Sequence, residues 1–87
     1  MDQNQARQIQ RYICLEFASI RKSKQIRLEE VSFVLDITSG YLSRIENGKL
    51  QNTPLYLYIM LCDYYDVEWY QIVNAATKKL EIDNEFY

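Results

Sequence analysis

The sequence predicts an all-α fold of five helices, on three observations. Apolar residues recur at spacings of three and four along most of the chain, the period of one helix face. The apolar/polar alternation of a half-buried strand fails nearly everywhere. Residues that start and stop helices fall between the periodic stretches: Thr38, Asn47-Gly48, Thr53-Pro54 and Asp66.

The first helix is expected from about Asn4 to Lys24. Ile9, Ile13, Phe17 and Ile20 recur at four, four and three, and Cys14 widens the stripe. Arg21, Lys22 and Lys24 place positive charge near its C-terminus, where the helix dipole favours it. The second helix spans Leu28 to Leu35, with Glu29 and Glu30 in its first turn and Val31, Val34 and Leu35 as apolar positions. Asp36-Ile37 makes a tight break. Thr38 supplies an N-cap hydroxyl for a third helix, Ser39 to about Glu46, whose Leu42 and Ile45 face inward. Asn47-Gly48 ends it, because glycine tolerates the left-handed conformation of a helix C-terminus.

A fourth helix opens with Thr53 as N-cap and Pro54 as its first residue. Leu55, Ile59 and Cys62 form one apolar line along it, and Tyr58, Leu61 and Tyr65 the neighbouring one. Asp66 is expected to cap the fifth helix, in which Trp69, Ile72, Val73, Ala76 and Leu80 recur at three or four. The closing "EIDNEFY" reads as a frayed tail. Eighty-seven residues, 48% of them hydrophobic, suffice for one core and not two. Residues 1–80 are therefore taken as one domain and 81–87 as the tail.

Much chemistry is excluded at this level. The chain has no His, and Cys14 and Cys62 stand 48 positions apart, so neither a zinc ligand set nor a Cys/His nucleophile can be assembled. Both cysteines read as small core hydrophobes. Two glycines make no phosphate-cradling loop, and adjacent Glu29 and Glu30 point in different directions, as solvated charges do. No enzyme, metal, cofactor or small-molecule ligand is expected. No run of eighteen apolar residues occurs, and the N-terminal "MDQNQARQIQ" is polar, so no membrane partner and a cytoplasmic location are expected. Charge is divided unevenly: residues 1–49 hold eight basic and six acidic side chains, residues 50–87 two and six. A local basic face can bind phosphates while the rest of an acidic molecule repels them.

Two short helices joined by a tight turn and followed by further short helices describe a helix-turn-helix. The segment Phe17 to Val73 resembles the phage repressor and Cro-like family, the XRE family of bacterial transcription regulators, and "LSRIENGK", Leu42 to Lys49, carries the resemblance most specifically. It implies a lambda-repressor-like DNA-binding domain, here with an extended first helix that begins about ten residues before the usual start.

The resemblance also implies residue roles. Arg21 matches a first-helix arginine that pairs with the glutamate matching Glu46, a planar fork meeting a carboxylate. Thr38, Ser39, Gly40 and Tyr41 match the first turn of the recognition helix, and Arg44 a base-reading position one turn on; Arg is the side chain best shaped for guanine O6 and N7. A phosphate contact is the alternative for Arg44. Tyr41 would pack on a thymine methyl or hydrogen-bond a phosphate. Lys49 and the Asn47 backbone match phosphate-contacting positions, with Thr38 at the same edge, and Lys24 and Arg27 could flank the same strand; ordinary solvated charge is the other reading of Lys24.

Four departures stand against the family pattern. Leu28 replaces a glutamine that clamps a phosphate, and Arg27 is the candidate substitute. Asp36 stands where the turn usually has glycine, and Ser32 replaces a small alanine. Phe33 and Val34 fall at usually polar positions, either covered by the long first helix, which is the favoured reading, or forming an exposed patch for a partner. Tyrosines crowd the fourth and fifth helices; with Tyr56 and Tyr70 on the outer face, and a dimer contact through the C-terminal helices implied by the resemblance, a homodimer through Tyr56, Trp69, Tyr70, Phe86 and Tyr87 is expected, its recognition helices one DNA turn, ~34 Å, apart, a monomer with a tyrosine-rich skin being the other reading. The leading expectation is a sequence-specific double-stranded DNA-binding regulator, a repressor on a palindromic operator, which the resemblance places near its own gene or those of a mobile element. The alternative is a protein-interaction module, an antirepressor or phage-type inhibitor, that keeps the fold and binds DNA weakly or not at all.

Overall fold

In the computed structural model, residues 1–50 and 52–86 are described, Phe86 by its backbone alone. All regular structure among them is helical: α1 (Gln3–Ser23), α2 (Leu28–Leu35), α3 (Ser39–Glu46), α4 (Leu55–Tyr65) and α5 (Trp69–Phe86). The second and third helices fall at the expected bounds, and α1 begins one residue earlier than expected. Its start is fixed by a capping box: Asp2 Oδ1 accepts the Gln5 N–H at 2.8 Å, and Gln5 Oε1 accepts the Asp2 N–H at 2.8 Å.

Each of the first four helices ends the same way. One residue with positive φ follows it (Gln25 at 57°, Asp36 at 56°, Gly48 at 69°, Asp66 at 55°), and the next residue's N–H reaches back to a carbonyl of the last turn. Ile26 bonds to Arg21 O at 3.1 Å, Ile37 to Ser32 O at 3.0 Å, Lys49 to Arg44 O at 3.1 Å and Val67 to Cys62 O at 3.0 Å. This six-to-one closure satisfies carbonyls that a helix end leaves orphaned. In three of the four cases a β-branched residue follows the turn, and Ile26, Ile37 and Val67 all pack against the core. Turn and core anchor are thus one unit.

The core is drawn from every helix. α1 gives Ile13, Cys14 and Phe17; α2 gives Val31 and Leu35; α3 gives Leu42 and Ile45; α4 gives Leu57, Tyr58, Leu61, Cys62 and Tyr65; α5 gives Ile72 and Ala76. Both cysteines are buried and free, and burial raises the thiol pKa of each. Phe17 and Tyr58 stack with centroids 6.0 Å apart, and Gln10 Nε2 donates to Tyr58 Oη at 3.0 Å. The longest packing seam joins α1 to α5, while α3 sits against α1 and α2, and α4 against α1 and α2.

Five expectations change. Pro54, not Thr53, caps α4: its ψ of 141° is extended, so the first helical residue is Leu55. Asp66 closes α4 instead of capping α5; at the start of α5 the Glu68 N–H is accepted by Gln71 Oε1 at 2.9 Å. Leu55 and Ile59 are exposed although they share a line with buried Cys62. Residues 81–86 continue α5 instead of fraying, because the last turns of that helix lie along α1: Lys79 Nζ meets Glu16 Oε2 at 2.6 Å, and the Tyr12 hydroxyl donates to the Asp83 carboxylate. Finally, Phe33 and Val34 are uncovered, Phe33 at 87% exposure. The N-terminal turns of α1 run against α5, and Val31, Ser32 and Leu35 take the inner face of α2, so the side bearing Phe33 and Val34 meets solvent.

Candidate nucleic-acid interface

The turn between α2 and α3 is three residues, Asp36 to Thr38. Thr38 is extended (φ −74°, ψ 152°), and its Oγ1 accepts the Tyr41 N–H at 3.1 Å, which starts α3 and leaves the amides of Ser39 and Gly40 without a helical partner. The inner side of α3 is spent on Leu42, Ile45 and Glu46, all buried. Gly40 and Arg44 are exposed, while Ser39 and Ser43 are half-covered. Tyr41 is half-buried and packs against the core, so it is a shorter probe than its length suggests.

Glu46 is 4% exposed, which demands compensation of its charge. Arg21 supplies it with a fork: Nε donates to Oε2 at 2.8 Å and Nη2 to Oε1 at 2.9 Å. The remaining Nη1 donates to the Ile26 carbonyl at 2.9 Å, tying in the α1–α2 turn as well. One side chain therefore fixes three segments: α1, the C-terminal end of α3, and the loop that carries Lys24 and Arg27. The hydrogen bond to Glu46 is the main reason the Arg21 guanidinium is held still more firmly protonated than usual, against the opposing effect of its burial. Beside the pair, Tyr65 is buried; desolvation first and the Glu46 carboxylate second push its ionisation well above the ordinary tyrosine range.

Lys24, Arg27, Asn47 and Lys49 are all exposed. Among the described residues the ion pairs are Arg21–Glu46 and Lys79–Glu16, so Arg44, Lys49, Arg27 and Lys24 face solvent without a carboxylate partner. Arg27 stands at the N-cap of α2, and no side chain caps that helix. Asn47 Nδ2 lies 3.5 Å from Ser43 Oγ, at the long limit of a hydrogen bond, and is otherwise open. Leu28, half-buried, packs on the core. Asp36 is exposed at the turn, the one carboxylate between α2 and α3. Ser32 is buried with its hydroxyl on the Glu29 carbonyl at 3.0 Å, a benign use of the position.

Tyr56, Trp69 and Tyr70 are exposed by 58%, 41% and 63%, and Trp69 leans on Tyr58 with centroids 5.9 Å apart. Trp69 lines a shallow, mostly apolar groove with Leu55, Ile59, Cys62, Val67 and Glu68, where α4 and α5 begin. The Phe86 side chain and Tyr87, expected in the same interface, lie outside the described residues.

Two basic residues were missed. Arg7 and Arg11 line a cleft of about 330 Å³ between α1 and the chain leaving α3, together with Asn4, Gln8, Gly48 and Leu50. Their spacing of four along one helix was a usable signal, but they precede the stretch that resembles the family. No group of three His, Cys, Asp or Glu among the described residues could hold a metal ion, and no described helix is long and apolar enough to cross a membrane. A scan of the chain against protein-family models gives no match, and a search of curated proteins gives none either.

Proposed function

We propose that the chain is a lambda-repressor-like helix-turn-helix domain that binds double-stranded DNA sequence-specifically and represses transcription by occupying promoter DNA. The observation that carries this reading is the state of α3: locked from behind by the Arg21–Glu46 fork, it leaves Arg44 and the following Lys49 exposed and without a carboxylate partner. In this reading α3 enters the major groove, Arg44 addresses a guanine edge, and Ser39 and Gly40 let the backbone approach the bases closely. Lys49, Asn47, Thr38, Arg27 and Lys24 hold the sugar-phosphate strands and set register without reading sequence. Leu28, turned to the core, gives no phosphate clamp, so Arg27 at the uncapped start of α2 takes that part.

A palindromic operator and a homodimer complete the proposal, with Tyr56, Trp69 and Tyr70 supplying apolar contact area at the two-fold. A second reading, a protein-interaction module, is favoured by one observation, the nearly full exposure of Phe33.

Selection of bound duplexes from a random-sequence pool, repeated with two variants, tests the assignment. Arg44→Ala is expected to lose preference at one position of each half-site, about 1–3 kcal/mol of discrimination, and Lys49→Ala to weaken all duplexes alike. A wild-type protein that enriches no sequence, while a partner protein is captured through Phe33 and lost in Phe33→Ser, would favour the second reading.

A further inference from the structure

We infer that the first helix contributes a phosphate-binding stripe of its own, Arg7 and Arg11, which extends the DNA footprint outward from the α3 face. The inference rests on the DNA-binding reading above and adds a site to it. Arg7 and Arg11 lie one turn apart on α1, with Asn4 and Gln8 on the same side, so these four side chains set hydrogen-bond donors along one wall of the cleft, beside Gln10, whose amide donates to Tyr58. Gly48 and Leu50 line the opposite wall. Among the described residues no carboxylate borders the cleft, and both arginines are exposed. The Arg11 guanidinium lies over the Tyr12 ring, 5.9 Å from its centroid, and has no ion-pair partner among the described residues. A wall of arginine and amide donors facing open solvent is the chemistry that recognises a phosphodiester.

Position connects this cleft to α3. Gly48 is the left-handed residue that ends α3, and α1 crosses it so closely that a Cβ there would stand 2.6 Å from Arg11 Cγ. Lys49 is the next residue. An eight-residue helix is ~12 Å long, about the width of the major groove, so a strand held at Asn47 and Lys49 continues past the end of α3 toward α1. The closeness at Gly48 fixes the spacing between the two walls. It also gives the extended N-terminal part of α1 a role that its packing on α5 leaves open.

The test is the salt dependence of affinity for a mixed-sequence duplex longer than one operator, read by fluorescence anisotropy for the wild type, Arg7→Ala/Arg11→Ala and Arg7→Lys/Arg11→Lys. Alanine is a strong helix former and both side chains are exposed, so α1 should persist, and circular dichroism of each variant checks that it does. Two phosphate contacts contribute about 1.8 to the slope of log affinity against log salt. Between ~50 and ~200 mM salt the wild type should therefore lose about 12-fold more affinity than the alanine variant. The lysine variant should keep most of the wild-type slope, and base preference should not change in either. An alanine variant with the wild-type slope overturns the inference and leaves the DNA reading standing. A wild type that binds no duplex at low salt overturns the reading itself, and the inference with it. Inorganic phosphate that shifts the Arg7 and Arg11 side-chain NMR signals, when duplex does not, assigns the cleft to a free anion and also overturns the inference.

Discussion

Replacing Arg21 by methionine removes one partner of a buried pair and leaves the other in place. Glu46 would then sit 4% exposed with two acceptor oxygens that had been held at 2.8 and 2.9 Å. Breaking a buried pair this way typically costs about 3–5 kcal/mol, whereas an exposed pair is worth about 0–1 kcal/mol. The side chains here are 13% and 5% exposed, which puts them in the first class. A domain of this size has a total stability of about 4–13 kcal/mol, so the loss is a large fraction of it. At ~4–8 °C per kcal/mol, Tm should fall by at least roughly 12 °C. The assay is urea and thermal unfolding followed by far-UV circular dichroism at one fixed protein concentration, since dimerisation would make Tm depend on concentration. Arg21→Met/Glu46→Leu, which removes both charges, should recover most of the loss. Arg21→Lys keeps the charge but not the fork or the Ile26 carbonyl contact, and should fall between. A loss below about 1 kcal/mol in Arg21→Met would refute the reasoning, because that is the behaviour of a solvated pair.

Three further outcomes are expected. Gly48→Ala forces a side chain into positive φ and against the stem of Arg11, so urea unfolding should show a loss of about 1–3 kcal/mol, part of it recovered when Arg11 is also alanine. Asp36→Gly relieves the left-handed conformation and removes the carboxylate at the α2–α3 turn; it should raise stability by up to about 1 kcal/mol and tighten duplex binding at low salt. Burial raises the folded-state pKa of Tyr58 and Tyr65 above the unfolded value of about 10, so the stability they contribute is present below that pH and is lost as pH climbs through their folded values. In an alkaline titration followed by tyrosinate absorbance and circular dichroism, these two of the eight tyrosines should ionise only as the helices melt, and reversible titration of all eight in a folded chain would contradict this.

The legible parts of the fold were those with a local cause. α2 and α3 fell at their expected bounds because Glu29-Glu30 in a first turn, Asp36-Ile37, Thr38 and Asn47-Gly48 mark the chain within a few residues of each helix end. Gly48 and Asp36 were readable as helix stops because glycine and aspartate tolerate left-handed geometry; Gln25 performs the same turn with a less telling side chain, and Asp66, an aspartate like Asp36, reads equally well as the cap of the next helix. Their better signal was the apolar β-branched residue that follows, Ile26 and Val67, which anchors the turn to the core. α4 misled because apolar residues occur all around it, so spacing could not choose between the Leu55–Ile59 line and the line of Tyr58, Leu61 and Tyr65. The end of α5 was illegible locally: the partners that hold it, Glu16 for Lys79 and Tyr12 for Asp83, stand 63 and 71 positions away. Phe33 could not be judged either, because cover by another helix leaves no mark in the sequence around it. In the candidate site, Arg21 and Glu46 were paired only through the family resemblance, and Arg7 and Arg11 were passed over because they lie outside it.

The most direct measurement is a binding titration of the whole chain against the DNA upstream of its own gene and against random duplex of equal length, at several salt concentrations. The account predicts tighter binding to the upstream duplex, with affinity for both falling steeply as salt rises. Equal, weak binding to both duplexes at moderate salt would contradict it.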